Sequence, residues 1–178
     1  AKKRYVGKQV WPKESMLIRG YETRRTDSFP SQVQALEEVF SYLMKSEIDK
    51  ALNHSKDWVT KVSKGEVEKD TLVISKTVNL KRKYVNEDNQ AHLQAYKKYI
   101  ETGRPFVSGM KISFIVTDAN KSPMVVEPYI PEDECPEPDY NYYADRLAKS
   151  LSRITDVFDW DEKALKAGKG APKQQTLF

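Results

Sequence analysis

Cysteine is nearly absent from the 178 residues, with Cys135 alone, so no internal disulfide can staple the chain and no Cys/His spacing suggests a zinc site. Histidine is scarce too. His54 and His92 lie far apart on segments of helical spacing, and neither is given a catalytic role. Apolar runs are short, so nothing reads as a membrane span. The basic opening, Ala1 to Tyr5, is followed by no apolar stretch, unlike a signal peptide. No Met starts the chain, which suggests a processed, cut or separately made piece of something larger. A reducing, cytoplasmic setting follows as the simple expectation. No Walker loop, Rossmann fingerprint, nucleophile elbow or metal-binding helix motif is present, so no convergent catalytic constellation can be assembled.

What remains is an ordinary globular composition, 39% apolar and 31% charged, long enough to bury a core without staples. The net charge of +4 is modest, but the charges are segregated. Ala1 to Arg25 carries eight Lys/Arg against two Glu, and Lys76 to Tyr84 holds four more cations and no acid. Glu127 to Asp139 holds six acids and no base. Basic blocks of this kind can contact phosphate or simply form a solvated face, and charge alone does not choose.

Two short strands, Lys3 to Val10 and Met16 to Glu22, are expected around a turn at Trp11 to Glu14. A helix should open at Phe29-Pro30-Ser31, with Ser31 and Gln34 as a capping box and an apolar stripe of Val33, Leu36, Phe40, Leu43 and Met44. Ser46 and Asp49 should cap a second helix, striped by Ile48, Leu52, Val59 and Val62 and ended at Gly65. Thr71 to Val78 reads as a strand, Asn89 to Thr102 as a helix, and Lys111 to Thr117 as a strand leading to a shorter one at Met124 to Val126. After the acidic, proline-rich loop from Pro128 to Pro138, Asp139 caps the most strongly periodic helix, with Tyr143, Leu147, Leu151 and Ile154 on one face. Asp159 with Glu162 should cap a last short helix. The expectation is an α+β fold: an N-terminal β-hairpin, then a mainly helical body with a small β-sheet.

Four landmarks lie in one order along the chain. Lys2-Lys3-Arg4-Tyr5 resembles the Lys-Lys-x-Tyr motif of family B DNA polymerases. Gly20 to Ser28, Gly-Tyr-Glu-Thr-Arg-Arg-Thr-Asp-Ser, is similar to that family's Gly-x-Glu-x-x-Arg-Arg-Asp-x-Ser segment, although Thr26 precedes Asp27 and shifts it from the usual pattern. Gly109 to Val116 is similar to the thumb strand Gly-x-x-Ile-x-Tyr-Ile-Val, and Asp139 to Tyr143 is similar to the Asp-x-x-Tyr-Tyr that opens the last large thumb helix. The archaeal branch resembles it best. Thr26-Asp27-Ser28 also looks like the tail of a metal-holding Asp-Thr-Asp-Ser motif, but Arg25 stands where a second carboxylate is needed.

The resemblance implies residues 1–29 as the end of the palm, 30–167 as the thumb and 168–178 as a flexible tail. The chain would be a non-catalytic part of a DNA-directed DNA polymerase, the small subunit of a split enzyme. It would hold no cofactor of its own, with Mg2+ and the catalytic aspartates expected in a larger partner chain. Lys3 and Tyr5 would meet the primer strand, where a minor-groove Lys can test the acceptors that every Watson–Crick pair shares. Lys2, Arg4, Arg24 and Arg25 are candidates for phosphate, and Lys81, Arg82 and Lys83 for the duplex. The ending Lys173 to Phe178 looks like the start of a sliding-clamp motif, with Gln174, Leu177 and Phe178 as the clamp contacts and a second aromatic lacking. Two other readings stay open: a free-standing duplex-DNA-binding protein, and a clamp-binding module whose cations are incidental. Nucleoid association would follow from DNA binding.

Overall fold

The computed structural model describes residues 5–9, 15–19 and 27–167. Strands β1 (Tyr5–Gln9) and β2 (Ser15–Arg19) form an antiparallel hairpin in which Tyr5 stands opposite Arg19 and Gly7 opposite Leu17. The expected turn at Trp11 to Glu14 lies outside the described residues.

Helix α1 (Pro30–Met44) starts on proline, whose missing N–H costs nothing in the first turn. The residue before it, Phe29, is held extended at φ −121° and ψ 154°, as pre-proline sterics demand. Phe29 is buried edge-on against Tyr143, with ring centroids 5.1 Å apart. The expected capping box is not formed: the first turn has no side-chain cap. Ser31 instead donates to Thr71 Oγ1 at 2.7 Å, and Gln34 donates to Glu38 at 2.8 Å. Ser31 is therefore used in a long-range contact, which local pattern cannot see. Helix α2 (Ile48–Ser63) packs on α1 and ends, as expected, at Gly65. That glycine sits at φ +70°, and a Cβ there would come within 3.0 Å of the Tyr140 ring.

Helix α4 (Tyr140–Thr155) is the centre of the base, lying against α1, α2 and the short α5 (Glu162–Lys166). Its stripe, Tyr143, Leu147 and Leu151, is fully buried with Leu36, Val39 and Val59 of the facing helices. Asp139 caps α4 by accepting from the Tyr142 N–H at 3.2 Å, and its other oxygen accepts from Ala119 N–H at 2.9 Å. One carboxylate thus starts the helix and ties it to Ala119, just past the strand Lys111–Asp118. Helix α5 is capped by Asp161, whose carboxylate accepts from Ala164 N–H at 2.8 Å, and not by the expected Asp159. Asp159 lies at φ +61° and ends the 3-10 turn Asp156–Phe158.

The second unit of structure is an antiparallel sheet of order β3 (Ile74–Thr77), β4 (Lys111–Asp118), β5 (Val125–Pro128). Ile112, Phe114, Ile115 and Val116 of β4 are all buried. Helix α3 (Ala91–Glu101) lies against β4 and β5. It also satisfies the outer strand's backbone. Gln94 donates to Met124 O at 3.0 Å and accepts from Val126 N–H at 3.2 Å, while Lys98 donates to Val126 O at 2.9 Å. A strand edge otherwise open to another chain is covered in this way. The fold is α+β, as expected from the pattern.

Candidate nucleic-acid interface

Beyond β3 and before β4, the chain builds a short basic surface. Register places Thr77 opposite Lys111 and Lys76 opposite Ile112. The pairing continues past the strands: Val78 N–H donates to Met110 O at 3.0 Å, and Gly109 N–H to Val78 O at 2.8 Å. Gly109 takes φ +94°, a conformation only glycine adopts without strain.

Asn79 then organises the next turn. Its side-chain oxygen accepts from Lys81 N–H at 3.0 Å and its carbonyl from Arg82 N–H at 3.1 Å, the Asx geometry expected of asparagine in a turn. Its own N–H donates to the Tyr84 hydroxyl at 3.0 Å, closing the loop over an aromatic ring. Leu80 N–H donates to Ser108 Oγ at 3.0 Å and joins the loop to the segment before β4. Lys81, Arg82 and Lys83 are exposed on this frame. The Arg82 guanidinium lies 5.6 Å from the centre of the Tyr84 ring, which limits its sweep.

Two more cations, Lys76 and Lys111, stand at this end of the sheet on opposite faces, since Lys111 pairs with Thr77, Lys76 pairs with Ile112, and side chains alternate along a strand. None of the five cations has a carboxylate partner among the described residues. Behind them, His92 is buried edge-on to Tyr84, 5.6 Å between centroids. Burial, and then the charge of Lys76, push its pKa down to about 4, so it is neutral at pH 7.

Of the other residues singled out from sequence, Tyr5 is placed by its backbone opposite Arg19. Lys2, Lys3, Arg4, Arg24, Arg25, Gln174, Leu177 and Phe178 lie outside the described residues. Asp27, which resembled a metal ligand, is engaged elsewhere: its carboxylate and carbonyl accept from the same Arg146 nitrogen at 2.8 and 3.2 Å. Arg146 also donates to Tyr142 Oη at 2.9 Å. Burial opposes its charge, and the neighbouring Tyr142 and Asp27 oxygens outweigh that opposition. The link fastens the start of the helical body to α4.

Residues 1–158 match the model of DNA polymerase family B. The chain belongs to that family. It is 30% identical to DNA polymerase 2 of Aeropyrum pernix, covering 100% of this chain and 22% of that protein. It is 28% identical to a DNA polymerase of Archaeoglobus fulgidus, covering 93% of this chain and 23% of that one. Its fold is similar to that of the family B DNA polymerase from the archaeon Pyrobaculum calidifontis, with a TM-score of 0.61 and 19% identity over 97% of this chain and 21% of the other. The chain thus spans less than a quarter of the length of the polymerases it matches.

Family B chemistry draws attention to carboxylates and metals. Among the described residues no group of three or more His, Cys, Asp and Glu is placed to hold a metal ion. Glu38 stands in an open cleft of about 590 Å³ between α1 and α2. It accepts from Gln34 and from Trp58 Nε1, both at 2.8 Å, and contacts His54 Nε2. Burial raises its pKa, but these three hydrogen bonds outweigh that and hold it below the ordinary carboxylate value. With its lone pairs taken, Glu38 ties two helices together. No helix among the described residues is long and apolar enough to cross a membrane.

Proposed function

We propose that this chain is the non-catalytic part of a family B DNA polymerase that grips the primer–template duplex. Residues 1–29 complete the palm, 30–167 form the thumb, and 168–178 form a tail that binds the sliding clamp through Gln174, Leu177 and Phe178. The observation that carries the reading is the exposed basic turn of Lys81, Arg82 and Lys83 on a chain matched to the family over residues 1–158. Cations without carboxylate partners, held on a braced turn, suit a strand of phosphates. Contacts of this kind carry no sequence information, as a replicating enzyme requires. Arg82, stacked on Tyr84, presents its fork in a limited set of directions.

The catalytic aspartates and the Mg2+ they hold belong to the larger polymerase part. Two-metal phosphoryl transfer needs clustered carboxylates. Lys3 and Tyr5 read the minor groove near the primer end, with Lys2, Arg4, Arg24 and Arg25 on phosphate. Tethering through the tail would raise the effective concentration of enzyme at the primer end.

The test is a salt titration of duplex binding by the assembled polymerase, with Lys81, Arg82 and Lys83 replaced together by Ala. Affinity should fall, and the slope of log K against log salt should become shallower by about 0.9 for each phosphate no longer neutralised. An unchanged slope would remove these residues from the interface. In the same assembly, Lys3→Ala and Tyr5→Ala should lower primer extension and fidelity. Unchanged misincorporation in both would remove the minor-groove role.

A further inference from the structure

The three-stranded sheet has two edges, and the chain treats them differently. The outer edge of β5 is closed by Gln94 and Lys98 of α3. The outer edge of β3 is left open, and register says which backbone groups lie on it. In an antiparallel ladder, residues alternate between bonding the neighbouring strand and facing away from it. Val78 bonds toward β4, since its N–H donates to Met110 O and its carbonyl accepts from Gly109 N–H. Ser113 of β4 faces away from β3, because its carbonyl accepts from Tyr129 N–H, just past β5. Counting along the register, Ile74 and Lys76 bond to β4, while Ser75 and Thr77 aim their N–H and C=O groups outward. Those outward groups have no partner among the described residues. Thr77 is exposed and Ser75 half-buried, so the edge is within reach of another chain.

The chemistry of this edge narrows what can lie on it. Donors and acceptors alternate along it at strand spacing. A row of phosphates offers acceptors alone and leaves the carbonyls unmet, whereas an extended peptide supplies both. Lys76 stands between the two open residues, at the position where side chains of facing strands come closest. It has no carboxylate partner among the described residues. A second copy of this chain, paired in the register that uses both open residues, would set Lys76 against Lys76, and like charges directly opposite are destabilising. From Lys76 to Tyr84 the chain carries four cations and no acid, so the edge favours a negative neighbour. On the other face of the strand Ser75 and Thr77 present hydroxyls, and that of Ser75 lies 2.7 Å from the Ser113 hydroxyl across the pair.

We infer that the open edge of β3 takes an extended acidic segment of a partner protein as a fourth strand. In that segment carboxylates alternate with hydroxyl side chains. A carboxylate meets Lys76, and Ser or Thr lies beside Ser75 and Thr77 on the opposite face. The contact uses backbone groups of the sheet edge and not the turn of Lys81, Arg82 and Lys83, so it stands or falls separately from the duplex reading.

The probe is a synthetic peptide alternating Thr and Glu, titrated into the full chain while the Ser75 and Thr77 amides are followed by hydrogen exchange in NMR. Both amides should exchange more slowly with peptide bound. Thr77→Pro removes one outward N–H and leaves the β3–β4 ladder intact, a change that edge strands tolerate. It should weaken peptide binding by roughly tenfold, the value of one lost backbone hydrogen bond. Lys76→Glu should weaken it by roughly fivefold or more and turn the preference toward a peptide alternating Thr and Lys. If Thr77→Pro lowers the melting temperature, the Thr/Glu peptide N-methylated along its backbone takes its place, and it should fail to bind the unmodified chain. Unchanged exchange at Ser75 and Thr77 at the highest peptide concentration would overturn the inference. Equal binding of the N-methylated peptide would do the same. So would protection of these two amides by duplex DNA without peptide, or by raising the concentration of the chain alone, since the edge would then belong to phosphate or to a second copy.

Discussion

The helical base and the β3–β4 end of the sheet are held together in different ways. In the base, Leu36, Val39, Val59, Leu147 and Leu151 are inaccessible to solvent, and polar groups are tied across helices, as Gln32 is to Ser150 at 2.6 Å. At the β3–β4 end, Leu80, Val85, Val107 and Met110 are exposed, and the chain is held by backbone N–H groups donating to the side chains of Asn79, Tyr84 and Ser108. The first arrangement supplies stability, since buried area carries most of the folding free energy. The second has little buried area to lose and can spend its surface on contact. Loops on a rigid scaffold are the usual place for such contacts. Substitutions should therefore separate cleanly into those that unfold the chain and those that weaken binding.

Leu151→Ala tests the base most severely. Removing a fully buried side chain of α4 should cost about 3–5 kcal/mol, read as a lower urea midpoint at unchanged slope. A loss below about 1 kcal/mol would mean that the base repacks freely and the contrast fails. Acid should come next in size, through His92, buried behind the basic turn. Above its unfolded pKa of about 6.5 the ring is neutral in both states. As pH falls toward about 4 the unfolded chain takes up a proton that the folded one refuses, so stability declines through that window. The part due to His92 is about 3 kcal/mol by pH 4, and His92→Gln should lack it in melts across pH 7 to 4.

Tyr143→Phe sharpens the comparison at the join between α4 and the sheet. The hydroxyl accepts from Val116 N–H at 2.9 Å in a buried setting, and burial drives its pKa upward, so it stays protonated. Its removal orphans that N–H and should cost about 1–3 kcal/mol, checked by the urea midpoint. Smallest of all should be Val85→Ala, at a side chain 80% exposed, with a stability change within about 0.5 kcal/mol. A large loss there would show that the β3–β4 end is part of the core.

Much of this was legible in the linear pattern. Alternation in Lys111 to Thr117 and helical spacing in Tyr143 to Ile154 both mark residues that the structure buries. Asp139 was readable as a cap because a cap needs only its own next turn. Ser31 and Asp159 were misread for the complementary reason. Each has the right neighbours for capping, but Ser31 is drawn to Thr71 and Asp159 ends the preceding turn. Lys81, Arg82 and Lys83 were visible as a basic run, whereas the frame that holds their turn, Asn79 bonded to Tyr84 and Leu80 to Ser108, was not.

Family membership, the element order and the basic run follow from residue types at short spacing, which obey local sterics and periodicity. The Asp27–Arg146 link and the cover over β5 by Gln94 and Lys98 were decided by tertiary structure alone. Met44 illustrates the reason. Its spacing places it on the apolar stripe of α1, yet it is exposed, at the last residue of that helix. Periodicity says which face a side chain is on, and only the packed neighbours determine whether anything covers it.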